Sequence, residues 1–325
     1  MQRRSFLKRA AGLVIAAPVA SLARPGSRAR VALVKTSDRA AGVERAVDLF
    51  GPPLLEGKSV FLKPNFNSAD PPPGSTHMTT LAALARKLRA LGAGPITMGD
   101  RSGMGVTRQV MEEKGAFSLC QELDLHPLVL DDLPAPEWQH ASGAHWEQGF
   151  WLPRSALAAG AIVQTCCLKT HRFGGHFTLS LKNSVGLAAK RVPGDSHDYM
   201  RELHGSPHQR RMIAEINAAY APALVVLDGV EAFLTGGPES GRRAATEVVL
   251  AGTDRVAIDA VGVAILRLFG TTAEVSRGPI FEQEQLARAA ELGVGVRGPE
   301  QIDLVTADAG SAAYAARLRP LLVAR

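Results

Sequence analysis

Cysteine is the scarcest chemically reactive residue in this sequence. The 325 residues include three cysteines, too few for the disulfide framework of a small secreted domain. The neighbours Cys166 and Cys167 would not bridge each other without strain, and Cys120 stands alone. Because no Cys-x-x-Cys spacing occurs, we expect no iron–sulfur cluster from this chain. The three thiols are expected to be small buried apolar groups.

Excess basic charge and long apolar runs are also limited. The formal net charge is +6, and Arg3, Arg4, Lys8 and Arg9 supply four of these charges within residues 1–23, which contain no acid. The remaining +2 is not the footprint of a nucleic-acid-binding protein. No apolar run reaches the roughly 20 residues that a transmembrane helix needs. We therefore expect no nucleic-acid partner and no stable membrane span.

The first 23 residues have the features of an export signal. Residues 2–8, QRRSFLK, match the twin-arginine pattern, and a mild apolar run at 10–17 and small residues near 21–23 follow. We predict a twin-arginine signal peptide over residues 1–23, with the twin-arginine translocation machinery as a partner. The protein would then be periplasmic or secreted. Residues 24–30 would form a linker before a domain spanning 31–325.

Short apolar runs alternate with amphipathic stretches along the rest of the chain. This alternation favours βαβ units, and so an α/β fold with a mostly parallel sheet flanked by helices on both faces. Residues 131–150 show no clear period, and we expect a loop excursion near the pocket. The predicted strands cover 31–34, 59–62, 96–98, 128–130, 161–163, 223–227, 248–250 and 302–305, and the main predicted helices cover 43–50, 79–91, 107–114, 116–123, 209–220, 254–269 and 283–292.

Polar side chains follow four of the predicted strands, at the point where each strand ends. The motifs are Lys63-Pro64-Asn65, Gly99-Asp100, Lys169-Thr170-His171 and Asp228-Gly229. In a parallel sheet these ends share one edge, where open α/β folds build their ligand sites. The sequence therefore predicts a pocket at the carboxyl edge of the sheet.

Lysine is rare relative to arginine, with 9 lysines against 28 arginines, yet Lys63, Lys169 and Lys182 all lie in or just after these motifs. A lysine in such a chain indicates a point charge or a titratable amine. We predict His171, Lys169 and Lys182 as catalytic residues: the lysines would hold an anion, and the imidazole would transfer protons near neutral pH. The alternative is that the lysines snorkel at the sheet edge.

Substrate contacts are expected from Lys63, Asn65 and Asn183, whose amine and amides would hold and orient an anion. The glycine-rich loop at 236–241 lacks both the P-loop ending and the G-x-G-x-x-G pattern. Gly237 and Gly241 could still present backbone N–H groups to an anion. A tight surface turn is the alternative explanation of this loop.

A divalent metal is a further chemical option. His77, Asp100 and Asp228 supply imidazole and carboxylate ligands that suit several divalent ions. No compact spacing such as H-E-x-x-H supports the choice. The alternative is that these residues are ordinary hydrogen-bonded polar groups.

The ordered motifs resemble the domain of unknown function 362 family over residues 31–295. Many relatives carry added ferredoxin-type cysteine clusters and are described as iron–sulfur proteins, whereas this chain lacks those cysteines. The resemblance is carried by Lys-Pro-Asn at 63–65, Gly-Asp-x-Ser-Gly at 99–103, Leu-Lys-Thr-His at 168–171, Leu-Lys-Asn-x-x-Gly at 181–186, Asp-Gly at 228–229, Gly-Pro-x-x-Gly at 237–241 and Asp-x-x-Ala-x-Asp at 254–259.

The sequence thus favours an exported enzyme that binds a small carboxylate or phosphate at the carboxyl edge of a parallel sheet. The alternative is a non-catalytic periplasmic carrier of a metal, cofactor or other ligand that works beside a redox partner.

Overall fold

The computed structural model describes residues 28–324. The predicted signal peptide at 1–23 lies outside the described residues, as does most of the predicted linker at 24–30. Ala29 and Arg30 belong to the first strand rather than to the linker. Within residues 28–324, no helix combines the length and the apolar character needed to cross a membrane.

A nine-stranded sheet forms the centre of the fold, with the order β11-β1-β10-β9-β7-β2-β3-β4 and with β8 paired to β7. Five of its pairings are parallel, and the pairings of β10 with β1 and β9 and of β8 with β7 are antiparallel. The predicted mostly parallel sheet is confirmed. The strands are β1 (Ala29–Lys35), β2 (Val60–Lys63), β3 (Ile96–Asp100), β4 (His126–Val129), β5 (Trp138–Ala141), β6 (Phe150–Pro153), β7 (Ala161–His171), β8 (His176–Thr178), β9 (Leu224–Gly236), β10 (Gly241–Gly252) and β11 (Ile302–Val305).

Helices cover both faces of this sheet, as expected for the α/β class. Alternate residues of β1 show the two layers: Val31 and Leu33 pack on one face, and Ala32 and Val34 pack on the other. The helices are α1 (Arg39–Phe50), α2 (Met78–Ala90), α3 (Thr107–Glu113), α4 (Ala116–Glu122), α5 (Arg154–Leu157), α6 (Ser180–Asn183), α7 (Tyr199–Gly205), α8 (Gln209–Ala218), α9 (Arg255–Leu268), α10 (Ala273–Ser276), α11 (Glu284–Glu291) and α12 (Ala309–Val323).

The layer that packs on Ala32 and Val34 contains α1 to α4 and is called the first layer. The layer that packs on Val31 and Leu33 contains α9, α11 and α12 and is called the second layer. Helices α7 and α8 extend the second layer toward β2 and β7, where they pack against Phe61 and Ile162. The short helix α6, which carries Lys182, belongs to this second layer because Leu181 packs in the same core as α9.

Two strands are much longer than the sequence predicts. The apolar runs end near residues 163 and 227, but β7 continues to His171 and β9 to Gly236. All eleven residues of β7 are buried, including the polar Gln164, Lys169 and Thr170. Pairing with β8 and β9 satisfies the backbone there, so tertiary contacts extend the strand beyond its apolar run.

The segment 131–150 is not the irregular excursion that its sequence suggests. Strands β5 and β6 pair in a separate antiparallel hairpin. Trp138, Trp146 and Phe150 are buried in a core shared with α7 and α8. None of residues 131–150 lines the polar cavity at the carboxyl edge of the sheet; the aromatic side chains make a small core of their own instead.

Helix α9 fixes the position of α6. The buried Asp259 of α9 accepts hydrogen bonds from the backbone N–H and hydroxyl of Ser180, at 2.8 and 2.5 Å, and from the N–H of Leu181 at 3.1 Å. Arg255 donates to Asn217 of α8 at 2.7 Å, and the Asn217 amide donates to the Leu181 carbonyl at 2.9 Å. Both ends of this short helix are therefore held by buried polar groups.

Asp259→Ala should lower the free energy of unfolding by about 2–5 kcal/mol, because two buried backbone N–H groups lose their acceptor. Urea unfolding followed by circular dichroism measures the loss. Glu112→Ala is the matched control, since Glu112 is exposed on α3 and a surface change of this kind shifts stability by roughly 0.5 kcal/mol or less. Equal stabilities of the two variants would contradict the anchoring role.

The same variant should show a defined pH dependence. Burial raises the pKa of Asp259 from 3.8 to about 7. An acid whose pKa is raised on folding stabilises the fold while it is protonated, and that contribution is lost as the pH rises through the raised pKa. The loss in Asp259→Ala should thus be larger at pH 5 than at pH 8, and the reverse order would show that the carboxylate is the stabilising form.

Candidate functional site

A polar cavity opens at the carboxyl edge of the sheet, where β2, β3 and β7 end. Lys63 and Asn65 reach it from β2, Asp100 from β3, and Lys169 and His171 from the end of β7; Lys182 of α6 completes the set. The sequence places these residues far apart, and the parallel sheet brings them together as predicted. The volume of this cavity is about 80 Å³.

Lys63 and Asp100 form a fully buried ion pair, with 2.6 Å between Nζ and Oδ1. Burial lowers the pKa of Lys63 and raises the pKa of Asp100, and the attraction between the two charges opposes both shifts. Asp100 also accepts hydrogen bonds from the backbone N–H groups of Phe66 and Arg101, at 2.6 and 2.7 Å. A Cβ on Gly186 would lie 2.7 Å from the Lys63 amine, so only glycine leaves room for the pair.

The three donors of the Lys63 ammonium are all used inside the protein. Besides Asp100, they reach the Pro64 carbonyl at 2.6 Å and Oδ1 of Asn183 at 3.2 Å. Asn183 is equally engaged, since its amide donates to the Thr165 carbonyl at 3.1 Å. Both residues were predicted to bind substrate. Lys63 lines the cavity with all three donors engaged by the protein, whereas Asn183 is not among the lining residues.

Lys169 is buried beside neutral oxygen acceptors. Its amine donates to Oδ1 of Asn65 at 3.1 Å and to the Gly74 carbonyl. The Asn65 amide donates in turn to Oδ1 of Asn183 at 3.2 Å, which fixes the orientation of the Asn65 side chain. Burial lowers the pKa of Lys169, because no carboxylate within residues 28–324 lies within 4.0 Å of its amine.

Arg101 is a buried cation that the sequence analysis did not single out. Its guanidinium donates to the carbonyl oxygens of Ser102, Val185 and Ala188. It therefore ties the end of β3 to the turn that follows α6. Burial lowers the pKa of Arg101, and its charge adds to the positive potential of the cavity.

Lys182 differs from the other two lysines because its amine has no hydrogen-bond or ion-pair partner among the described residues. Its side chain lines the cavity and its residue is 8% exposed. Burial, and then the nearby charges of Lys169 and Arg101, lower the pKa of Lys182 to about 7. Near neutral pH the amine is thus present in both its charged and its neutral form.

His171 stands next to Lys182 and is held neutral. Burial, with the charges of Lys182 and Lys169, lowers the pKa of His171 far below its usual range. Its Nδ1 is buried and lacks a partner in the described part of the chain. A Cβ on Gly175 would lie 3.1 Å from this Nδ1 and 2.6 Å from Cε of Lys182, so the two side chains border the same space.

Two further polar atoms in the cavity share this property, and the sequence analysis missed both. Nδ2 of Asn67 and Oγ1 of Thr178 are buried without a partner among residues 28–324, and both residues line the cavity. Thr178 pairs with Lys169 across β7 and β8, a pairing invisible before the strands are known. Asn67 follows the Lys63–Asn65 motif by two residues, which was the one available signal.

The glycines predicted to bind an anion belong to the tight turn between β9 and β10. The Gly237 N–H donates to the Ser240 carbonyl at 2.5 Å and so is not available to a ligand. Gly237 has a φ of +65°, a conformation that favours glycine. Gly241 pairs with Gly236 at the base of this hairpin. The turn brings the following Pro238 to the cavity wall.

The three residues predicted as metal ligands are not assembled into one site. Asp100 is paired with Lys63, and Asp228 accepts from Nε of Arg39 at 2.9 Å and from the Thr80 hydroxyl at 2.6 Å. Nδ1 of His77 accepts from the Thr79 N–H at the start of α2. In the described part of the chain, no three His, Cys, Asp or Glu side chains are grouped so as to hold a metal ion.

Three comparisons relate this chain to known proteins. A thylakoid-associated protein of Synechocystis sp. is 29% identical over 253 residues, which cover 76% of this chain and 74% of that protein. Among solved structures, the lactate racemase apoprotein of Thermoanaerobacterium thermosaccharolyticum is similar with a TM-score of 0.40 and 14% identity, over 90% of this chain and 86% of that chain. The family model described as "Domain of unknown function (DUF362)" matches residues 60–264, more than half of the chain, and the chain therefore belongs to this family.

Proposed function

We propose that the cavity binds a small carboxylate or phosphate and that the protein is an enzyme acting on this anion. The observation that carries the proposal is the Lys182 amine, which lines the cavity without a partner in the described chain. The buried polar atoms of Asn67, His171 and Thr178 beside it are equally unpartnered. A buried group left unsatisfied costs about 1–3 kcal/mol, and an anion held among these donors offsets that cost.

The charge balance of the cavity supports an anion rather than a cation. Four buried cationic side chains line it, and Asp100 is the one carboxylate among its described lining residues. Since Asp100 is paired with Lys63, the side chains of Lys169, Lys182 and Arg101 form no ion pair within 4.0 Å among the described residues. Buried charges require a partner, and a bound anion supplies one.

The size of the cavity limits the ligand. The cavity has a volume of about 80 Å³, whereas a water molecule occupies about 30 Å³ in the liquid. This space suits an anion of a few heavy atoms, such as phosphate, sulfate or a small carboxylate. Larger substrates would have to extend out of the cavity.

The side chains that line or support the cavity have different roles. Lys169 has one ammonium donor left after Asn65 and Gly74, and with Asn67 and Lys182 it holds the anion. His171 is neutral and has an unpartnered Nδ1, so it hydrogen-bonds the bound molecule rather than accepting a proton from it. Asp100, Asn65 and Asn183 position the lysines. A metal carrier lacks a comparable observation, since the residues suggested for a metal are engaged elsewhere.

Lys182→Met should weaken the binding of sulfate by about 10- to 100-fold, the effect of losing a charge-assisted hydrogen bond worth about 1.5–3 kcal/mol. Isothermal titration calorimetry measures the affinity. Lys87→Met is the matched control, because Lys87 is also largely buried but pairs with Asp48 outside the cavity. Unchanged affinity in Lys182→Met, or an equal loss in the control, would argue against the site.

Sulfate affinity should also fall as the pH rises from 6 to 8.5. Sulfate keeps its charge over this range, whereas Lys182, with a pKa of about 7, loses its proton. Lys169 and Arg101 are the charged groups that face it, and His171 stays neutral throughout. The expected decrease is about tenfold or more, and Lys182→Met should make the profile nearly flat. A profile that is the same in both proteins would place the titration elsewhere.

We further propose that the protein is exported through the twin-arginine route, supported by the QRRSFLK pattern at residues 2–8. Changing Arg3→Lys together with Arg4→Lys should leave the protein in the cytoplasm. Cell fractionation followed by immunoblotting measures its location. Arg9→Lys, outside the paired arginines, should be exported normally, and export of the double variant at the same level would refute the proposal.

A further inference from the structure

We propose that the Lys182 amine is a nucleophile that forms a Schiff base with small oxo acids, compounds that carry a carbonyl beside a carboxylate. The inference rests on the proposed function, because the same cavity must hold the carboxylate. It goes further by assigning a covalent role to one lysine and a substrate class to the site.

Of the three buried lysines, Lys182 alone has an amine without a hydrogen-bond or ion-pair partner among the described residues. The Lys63 ammonium donates to Asp100, Pro64 and Asn183. The Lys169 amine donates to Asn65 and Gly74. The amine of Lys182 has no partner within residues 28–324 and lines the cavity. An amine must offer a lone pair to attack a carbonyl, and a hydrogen-bonded ammonium offers none.

The surroundings of Lys182 favour its neutral form. The residue is almost fully buried, and the charges of Lys169 and Arg101 act on it from β7 and from the end of β3. Desolvation beside another cation is a known way to activate a lysine nucleophile. Lys63 is unlike it in this respect, because Asp100 stabilises the Lys63 ammonium.

The imidazole of His171 lies beside this amine. Nδ1 of His171 and Cε of Lys182 border the space that a Cβ on Gly175 would fill, at 3.1 and 2.6 Å. Glycine at this position leaves that space open. The carbonyl oxygen of an oxo acid placed there lies beside the imidazole, while Lys169 and the Asn67 amide are left to hold the carboxylate.

The covalent step balances without an oxidant or a reductant. The lone pair on Nζ of Lys182 forms a bond to the carbonyl carbon, and the C=O π electrons move to the oxygen. The two amine protons pass in turn to this oxygen, the C–O bond breaks, and water leaves. The product is an imine between Lys182 and the former carbonyl carbon.

Reductive trapping tests this step without knowledge of the complete reaction. The full-length protein is incubated with glyoxylate and cyanoborohydride, which delivers hydride to the imine carbon and leaves a carboxymethyl group on the lysine. Peptide mapping by mass spectrometry locates the group. Lys182 should be modified at least about tenfold faster than the exposed Lys58. Acetaldehyde, which lacks the carboxylate, should show a smaller preference for Lys182.

Lys182→Arg separates the nucleophile from the charge. This variant keeps a positive charge but should show no trapping beyond that of surface lysines, whereas Lys87→Arg should be trapped like the unchanged protein, whose sulfate binding is measured alongside. Sulfate binding without preferential trapping of Lys182 would overturn the Schiff-base role and leave the anion site standing. If neither sulfate binding nor trapping occurs, both proposals fail.

Discussion

Positive charge that is buried without enough negative charge beside it is the constraint on which this structure depends. Lys63, Lys169, Lys182 and Arg101 converge on one cavity, and Asp100 is the one acid that the described chain provides there. Removing a charged group from water costs several kcal/mol unless it is paired and hydrogen-bonded. The protein meets most of this cost with neutral oxygen atoms, mainly backbone carbonyls and the amides of two asparagines. Lys182 is outside this network in the described chain, and burial together with the charges of Lys169 and Arg101 lowers its pKa to about 7.

The framework that holds these cations lies outside the cavity. Asp259 and Arg255 project from α9, and together with Asn217 they fix both ends of α6, the helix that carries Lys182. Their own charges are buried and hydrogen-bonded, so their role is to fix geometry. The Asp254–Asp259 motif contributes nothing to the cavity lining. Its Asp259 acts on the site through α6.

Much of the site follows from the sequence because strand ends in a parallel sheet share an edge. Lys63, Asp100, Lys169 and His171 could be brought together on that argument alone. Asp228 could not be excluded by the same reasoning. It also lies near a strand end, but its side chain contacts Arg39 and Thr80. Those residues belong to the layer of α1 and α2, whereas Lys182 comes from the opposite layer.

The sequence also could not show which donors remain available. Asn65 and Asn183 are residue types that bind substrates, yet here each is used to hold a lysine. That distinction depends on contacts between segments more than 100 residues apart. Thr178 lies in the site because β8 pairs with the extended end of β7. The sequence did not predict this extension, because the residues that form it are largely polar.

The unpartnered atoms of the cavity connect binding with stability. The cavity atoms of Asn67, His171 and Thr178 have no partner within residues 28–324, and a bound ligand supplies one to each. A ligand that satisfies them stabilises the folded state in proportion to its affinity. The cavity can keep these groups unpaired because α9 and the Lys63–Asp100 pair hold its walls in place. Ordering the site on binding therefore costs little free energy.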